Sequence, residues 1–177
     1  MKAITLWQPF GTLISIGAKK FETRGWQTNH RGPLAIHTAQ RMPPRMWNLF
    51  WQDPFYKHLK DAGVRDPAKL PRGAVVCIAD LVDCIEVSLV KNVPPDERAF
   101  GNWTPGRYAW RMENVRPLPT PIDAKGQQGL WDWKEPEVKN LLMPEKTRRT
   151  FLKAAEKAAK SLPPGAVVKF GCPEGRD

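Results

Sequence analysis

The residues of this chain that are best suited to chemistry lie together in one short stretch, GAKKFETR at positions 17–24. It holds the adjacent lysines Lys19 and Lys20, the carboxylate of Glu22 and the guanidinium of Arg24. Lysine and arginine can hold a phosphate or a carbonyl oxygen, and a carboxylate can accept from the exocyclic amine of a base. The same charges can instead form a solvated turn, or ion pairs that pin two elements together. Both interpretations are open at this level.

Hydrolytic chemistry would ask more of the same residues. Cleaving an amide needs an activated water, a stabilised oxyanion and a proton for the leaving amine. A buried lysine at position 19 could serve as the base or nucleophile if it were neutral. A carboxylate in direct contact opposes that role because it favours the charged ammonium. A contact between Lys19 and Glu22 would therefore favour recognition of an anion or a base over catalysis.

The elements around this stretch must position its charged side chains. An apolar strand opens at Ala3 and breaks at Pro9, and Pro9 together with Gly17 bounds a predicted short helix. The residues that follow alternate in type, which predicts a strand in which Glu22 and Arg24 face the same way. The two lysines then stand at the entrance to that strand.

The rest of the chain alternates between short strand patterns and turns rich in glycine and proline. Further strands are predicted at 34–38, 74–87 and 107–118, with a loop at 91–107. These elements predict an α+β fold, a small mixed β-barrel flanked by short helices. Residues 1–136 would form the domain, with a helical insertion at 43–70, and 137–177 a C-terminal helical extension that packs on it.

The charge of the chain points to a polyanionic partner. It carries 28 Lys and Arg against 18 Asp and Glu, a net charge of +10. Its eight tryptophans add to this indication, because flat aromatic rings beside cations can stack on unpaired bases. Tryptophans also serve as core residues. We expect Trp7 and Trp110 in the core, and leave Trp26 and Trp103 open between core and stacking.

Several classes of protein do not fit the sequence. The three cysteines are odd in number and lack the short spacings of a zinc or redox motif, so we expect buried free thiols, no metal site and no cofactor. No apolar run approaches the roughly 20 residues that span a membrane. Gln8 and Pro9 interrupt the start of the chain too early for a signal peptide. We therefore expect a cytoplasmic protein, without a prediction of its oligomeric state.

Residues 17–24 fit the pattern G-x-K-x-x-E-x-R, and on this motif the chain resembles the ASCH (ASC-1 homology) domain family. Four further blocks extend the resemblance over residues 3–133: ITLWQPFGTLI, RGPLAIHTA, FGNWTPGRYAW and KGQQGLWDW. The resemblance implies a PUA-like β-barrel with a cleft beside the signature helix and strand. It also implies a connection with RNA or modified bases.

The resemblance implies a hydrolytic alternative as well. Some small ASCH proteins are amidohydrolases that remove an acyl group from N4-acetylcytidine, and their motif lysine is catalytic. By position Lys19 matches that lysine and Arg24 the motif arginine, whereas Glu22 stands where those enzymes have a threonine. Their second carboxylate matches best to Glu97 in the predicted loop, with Asp96 adjacent.

The sequence therefore predicts a protein that binds RNA, single-stranded nucleic acid or a modified nucleobase in a basic cleft. The ligand-binding residues would be Lys19, Lys20, Glu22, Arg24, Trp26, His37, Trp103 and Arg107. For His37 a polar cleft position and a satisfied inward position are both open. The alternative is an N4-acetylcytidine-type amidohydrolase, with Lys19, Glu22 and Glu97 catalytic, or a metal-independent ribonuclease. A protein-interaction adaptor, the third class, would explain neither the charge nor the signature.

Overall fold

A computed structural model of the chain describes residues 1–134, which form six strands and four short α-helices. The strands are β1 (Lys2–Leu6), β2 (Phe21–Arg24), β3 (Gly32–Thr38), β4 (Ala74–Glu86), β5 (Tyr108–Asp123) and β6 (Leu130–Asp132). The helices are α1 (Phe10–Ser15), α2 (Pro44–Phe50), α3 (Phe55–Asp61) and α4 (Pro95–Ala99), with 3-10 turns at Pro67–Lys69 and Val87–Leu89.

The strands form one mixed sheet in the order β2-β5-β4-β3-β1-β6, in which β1 and β3 run parallel and every other pair is antiparallel. The sheet curls into a half-barrel. Arg24 of β2 donates to the carbonyl oxygen of Thr5 in β1, although four steps of the sheet order separate these strands. This architecture confirms the predicted α+β class and the small mixed sheet with short helices.

Helix α1 joins the two main hydrophobic clusters of the described residues. Its Ile14 packs into the cluster on the sheet with Leu34, Ile36 and Trp110. Its neighbour Leu13 packs into a second cluster, which also holds Met42, Met46, Phe50, Phe55, Leu59, Leu70 and Phe100. Neighbouring apolar residues of a helix point in different directions, so a short amphipathic helix can join two clusters. The helix is thereby fixed just before the signature stretch begins.

Residues 43–70 contain two short helices, α2 and α3, where the sequence predicted helices. This segment supports α4, which lies in the predicted loop 91–107. Phe100 at the end of α4 packs edge-on against Phe55, with ring centroids 5.0 Å apart, and His58 Nε2 lies 2.8 Å from Asp96 Oδ2. The fully loop-like prediction for 91–107 was wrong, because Pro95 at the first helical turn and these contacts stabilise a helix there.

Strand β5 is longer than the sequence predicted, since it continues to Asp123 through Pro117, Pro119 and Pro121. Proline lacks the N–H that a sheet ladder needs, so it interrupts most strand patterns. Here the prolines stand at alternate positions, and β2 covers the outer side of β5 only as far as Arg111. Their missing N–H groups can therefore point to the uncovered edge, where proline is tolerated.

The predicted C-terminal helical extension at 137–177 lies outside the described residues. Within residues 1–134 no helix has the length and apolar character needed to cross a bilayer.

Candidate functional site

Lys19 lies just before β2 with its side chain buried, only 1% exposed. Its Nζ donates to the carbonyl oxygens of Phe21 and Phe100, the second at 2.7 Å. The carboxylate Oε2 of Glu22 lies 3.4 Å from the same nitrogen. Two of the three N–H donors of the ammonium are thus hydrogen-bonded to carbonyl oxygens, and Glu22 adds an ion pair. The structure therefore holds Lys19 as a fixed cation, and the contact with Glu22 that the sequence left open is present.

Glu22 contacts both the buried Lys19 and Arg24. Glu22 and Arg24 lie on one face of β2, because side chains two residues apart in a strand point the same way. Glu22 Oε1 lies 3.2 Å from Arg24 Nε, so the two side chains form a close ion pair. The Nε of Arg24 nevertheless makes no hydrogen bond within residues 1–134. The far end of the guanidinium, Nη2, donates to the carbonyl oxygen of Thr5 at 3.1 Å. The signature residues thus form a line of charges from Lys19 to β1, with Glu22 in its middle.

Glu97 stabilises the backbone of this arrangement. Its side chain is buried, and its two carboxylate oxygens accept the backbone N–H groups of Lys20 at 2.8 Å and Phe21 at 3.0 Å. These donors belong to the entrance of the edge strand β2. A carboxylate that accepts two backbone N–H groups is a strong clamp. In this structure Glu97 therefore holds the signature strand against α4.

The charged line borders a cleft of about 770 Å³. The cleft lies where the half-barrel does not close, between β2 and the end of β1. Its walls come from five parts of the chain. These are the end of β1 with α1 (Thr5, Leu6, Trp7, Phe10), β2 (Glu22, Thr23, Arg24), α2 (Arg45, Met46), the end of α4 with the chain after it (Ala99, Phe100, Gly101, Asn102, Arg107) and the loop before β6 (Gln127, Gln128, Gly129). Three arginines face one carboxylate among these residues, so the lining is net positive.

Two of the arginines in the lining make few hydrogen bonds within residues 1–134. Arg24 makes one hydrogen bond within residues 1–134, to Thr5, and Arg107 makes one, from Nη2 to the carbonyl oxygen of Thr23 at 3.1 Å. A guanidinium carries five N–H donors in a planar fork that matches phosphate and carboxylate oxygens. The Nε of each residue is buried and has no hydrogen-bond partner in this part of the chain. Arg24 lines the cleft with 27% of its side chain exposed, so its remaining Nη donors, rather than the buried Nε, are the ones that an anionic ligand can reach.

The structure brings three of the sequence-predicted ligand residues into the cleft wall, namely Glu22, Arg24 and Arg107, with Lys19 and Glu97 directly behind them. Lys20 lies outside the lining, exposed. Trp26 and Trp103 lie outside it too. Trp26 packs edge-on against the buried Trp110 at 4.6 Å between centroids, and Trp103 packs against Phe21 at 5.7 Å. Trp110 is fully buried, as predicted.

The expectation that Trp7 belongs to the core was wrong. Trp7 is 41% exposed and lines the cleft. It follows the last residue of β1, where the chain leaves the sheet, so no facing layer covers it. Sequence reasoning also missed Thr23, Arg45, Asn102, Gln127 and Gln128 as lining residues. Their segments meet only through the curl of the sheet, and no local pattern marks them.

His37 lies in a second cavity, of about 930 Å³, which shares Thr5 with the cleft as a lining residue. Its side chain is 1% exposed and packs on Trp131, opposite to the face of Leu34 and Ile36, as the strand pattern predicted. Nε2 lies 3.0 Å from the carbonyl oxygen of Ala124 and must donate to it, because a carbonyl only accepts.

The other ring nitrogen of His37 is satisfied as well. Nδ1 lies 3.2 Å from Thr5 Oγ1, which can donate to it while accepting the indole N–H of Trp131 at 3.1 Å. Burial lowers the pKa of His37, and hydrogen bonds with the backbone of Ala124 and Gly73 offset part of that effect. His37 is therefore a neutral, inward histidine.

The remaining candidates for chemistry lie apart from the cleft. Burial raises the pKa of the Cys77 thiol to about 12, which makes it unreactive, and Cys84 is a free, half-buried thiol. No group of three or more His, Cys, Asp or Glu side chains within residues 1–134 is arranged to hold a metal ion. Cys172 lies outside the described residues.

With this geometry in place, comparison with known proteins identifies the family. A model of the ASCH domain matches residues 4–122. The chain belongs to the ASCH domain family. This confirms the resemblance that the signature motif indicated. The ASCH family is associated with RNA binding.

The curated relatives are longer proteins. Activating signal cointegrator 1 of Homo sapiens is 25% identical over 128 residues, which cover 72% of this chain and 21% of that protein. The Mus musculus protein of the same name is 24% identical over the same coverage. This chain therefore spans about a fifth of the length of these relatives.

Solved structures of an ASCH protein from Zymomonas mobilis are also similar to the chain. One aligns with a TM-score of 0.43 at 14% identity and covers 86% of this chain and 93% of that one. A point mutant of the same protein aligns with a TM-score of 0.42 at 14% identity, covering 86% and 96%.

Proposed function

We propose that this ASCH protein binds RNA or another single-stranded nucleic acid in the cleft between β2 and the end of β1. The observation that carries the proposal is the pair Arg24 and Arg107, each with a single hydrogen bond within residues 1–134 and both in a net positive lining. Guanidinium forks of this kind hold phosphate oxygens. The excess of 28 Lys and Arg over 18 Asp and Glu supports the same polyanionic ligand.

The residues behind the cleft would act as supports. Lys19 and Glu97 fix the start of β2, and Glu22 balances part of the charge of Lys19 and Arg24. Glu22 is 12% exposed and lines the cleft, so its carboxylate can also accept from the exocyclic amine of a base. A ligand with both a phosphate and an unpaired base would use Arg24, Arg107 and Glu22 together.

The test measures binding of the full chain to a fluorescein-labelled 12-mer of oligouridylate by anisotropy, at several salt concentrations. The variant Arg24→Gln/Arg107→Gln is expected to bind about tenfold or more weakly. Its slope of log K against log salt should become shallower by about 0.7 for each phosphate that the variant leaves unneutralised.

A matched control removes the same charge elsewhere. Arg31→Gln/Arg111→Gln changes two arginines outside the cleft, whose side chains are 42% and 43% exposed. This variant is expected to stay within about twofold of the parent, because distant exposed charges are largely screened. Equal weakening by the two double variants would show that net charge, not the cleft, binds the oligonucleotide.

A further inference from the structure

The cleft contains one aromatic side chain whose exposure the phosphate-binding arginines do not explain. Trp7 is 41% exposed, and Arg45 lies over its ring, with the guanidinium carbon 4.6 Å from the ring centroid. Both residues line the cleft that holds Arg24 and Arg107. A large, partly exposed indole in a polar cleft marks a surface available for binding.

The surroundings of Trp7 differ from those of the other exposed tryptophans. Trp26 packs edge-on against Trp110, and Trp51 packs against Phe50 at 5.0 Å. Both lie outside the cleft. Within residues 1–134 no aromatic ring packs on Trp7, and the group over its ring is a cation. Arg45 covers one part of the indole, and the 41% exposure of Trp7 leaves ring surface for a flat ligand.

We propose that Trp7, held by Arg45, is a stacking subsite for an unpaired nucleobase. The proposal rests on the nucleic-acid-binding function of the cleft and specifies its ligand: a single strand whose phosphate lies on Arg24 and Arg107 while a neighbouring base stacks on Trp7. A paired base exposes no free face inside a duplex, so the subsite selects single strands.

This assignment also gives the helical segment 43–70 a role in recognition. Arg45 and Met46 belong to the first turns of α2, and both reach the cleft. Met46 is buried in the cluster below, which fixes α2 in place, whereas Arg45 is exposed and extends over Trp7. The segment therefore forms the cleft wall on the side where Arg45 covers Trp7, and a stacked base would use the ring surface that Arg45 leaves open.

The experiment compares two ligands of the same phosphate number, a 12-mer of oligothymidylate and a 12-mer made of abasic sugar phosphates. Both are measured with the full chain and with Trp7→Ala and Trp7→Phe. Removal of the stacking ring in Trp7→Ala is expected to weaken binding of the oligothymidylate by about 5- to 100-fold. Trp7→Phe should retain most of the affinity, and the abasic chain should bind all three proteins equally.

Trp51→Ala is the matched control, because Trp51 is 54% exposed and lies outside the cleft. It should leave both affinities unchanged. Thermal unfolding of each variant checks the fold. If Trp7→Ala is unfolded, Trp7→Phe and Arg45→Gln carry the test: Phe should retain the preference for the base-containing ligand and Gln should reduce it several-fold.

Two results would overturn the stacking subsite. One is wild-type affinity of folded Trp7→Ala for oligothymidylate, and the other is an equal decrease in affinity for the abasic chain. Failure of the phosphate site is distinguishable from these results. In that case Arg24→Gln/Arg107→Gln would bind the abasic chain as well as the parent does, whatever the outcome at Trp7.

Discussion

Two cavities within residues 1–134 share Thr5 as a lining residue, and they differ in what else lines them. The larger one, about 930 Å³, holds the buried His37, whose two ring nitrogens have partners within the protein. The smaller one, about 770 Å³, is lined by Arg24, Arg45 and Arg107 with one carboxylate. His37 in the larger cavity has partners for both ring nitrogens, whereas the smaller cavity gathers three guanidinium groups around one carboxylate. This concentration of guanidinium groups, rather than the size of the cavity, is the reason that we place the proposed binding site in the smaller one.

The loop before β6 contributes to both cavities, since Gln127 and Gln128 line each of them. Gly126 lets this loop lie directly on the ring of His37, because a Cβ at that position would collide with the imidazole and with Thr5. The close packing of Gly126 on His37 thus fixes the loop whose next residues line the cleft. The same loop packs on His37 in the larger cavity and lines the cleft in which we propose that nucleic acid binds.

The largest effect is expected from the support behind the cleft. Lys19→Met would leave the Phe100 carbonyl oxygen without its donor and Glu22 without one of its two cations. Breaking a buried ion pair costs about 3–5 kcal/mol, and the remaining interaction with Arg24 places this case near 3 kcal/mol. Urea unfolding monitored by circular dichroism measures the decrease in stability.

Lys20→Met is the control for that measurement, since Lys20 is exposed and its side chain makes none of these interactions. It should change the free energy of unfolding by no more than about 0.5 kcal/mol. Similar stabilities of the two variants would contradict the structural role given to Lys19.

Oligonucleotide affinities of variants in each cavity should show which of the two binds the ligand. Arg107→Gln removes a guanidinium from the cleft, and Lys125→Gln removes a cation from the second cavity. We expect about a tenfold weaker complex with a 12-mer oligonucleotide for Arg107→Gln, in the range of one charge-assisted hydrogen bond. Lys125→Gln should change the affinity by less than about twofold. The reverse order of effects would move the binding site to the second cavity.

We expect a smaller effect of pH on the stability of the protein, through His37 in the second cavity. Burial lowers the pKa of His37 in the folded protein, while the unfolded chain takes up that proton near the ordinary value of about 6.5. Between the two pKa values the unfolded state binds more protons than the folded state, so the free energy of unfolding decreases as the pH falls. The contribution of His37 to stability is therefore fully present above about pH 6.5 and is lost as the pH falls through the folded pKa.

Urea unfolding at pH 7.5 and at pH 5.5 would show this dependence, and His37→Gln serves as the comparison. The variant should lose less stability than the parent between the two pH values. A steeper decline in His37→Gln would show that the histidine is protonated and stabilising in the folded state.

We expect no amidohydrolase activity of this protein on an acylated nucleoside. The ammonium of Lys19 is held by two carbonyl oxygens and Glu22, so it is not available as a base. Incubation with N4-acetylcytidine should release no cytidine, while a small ASCH amidohydrolase with threonine in the motif serves as the positive control. Release that disappears in a folded Lys19→Met variant would make the cleft catalytic and remove the fixed-cation interpretation.

Local patterns predicted much of the fold and part of the site. Alternation over residues 20–24 indicated that Glu22 and Arg24 share a face, and the structure has them 3.2 Å apart. Apolar spacing predicted the short helices between 43 and 70. The extension of β5 through its prolines was not predictable, because proline is tolerated there only where the neighbouring strand ends. The exposure of Trp7 was not predictable either, because a hydrophobic residue is expected in the core from sequence whether or not another layer of the fold covers it.

The sequence by itself determined the family, the α+β class, the basic charge and the residue types of the signature. These properties reside in composition and in short-range order along the chain. Only the tertiary structure decided that Lys19 is buried and paired with Glu22, that Arg107 and Arg45 join Arg24 around one cleft, and that His37 lies in another cavity. The reason is physical: the cleft is made where a curled sheet fails to close, and the segments that meet there are far apart in sequence.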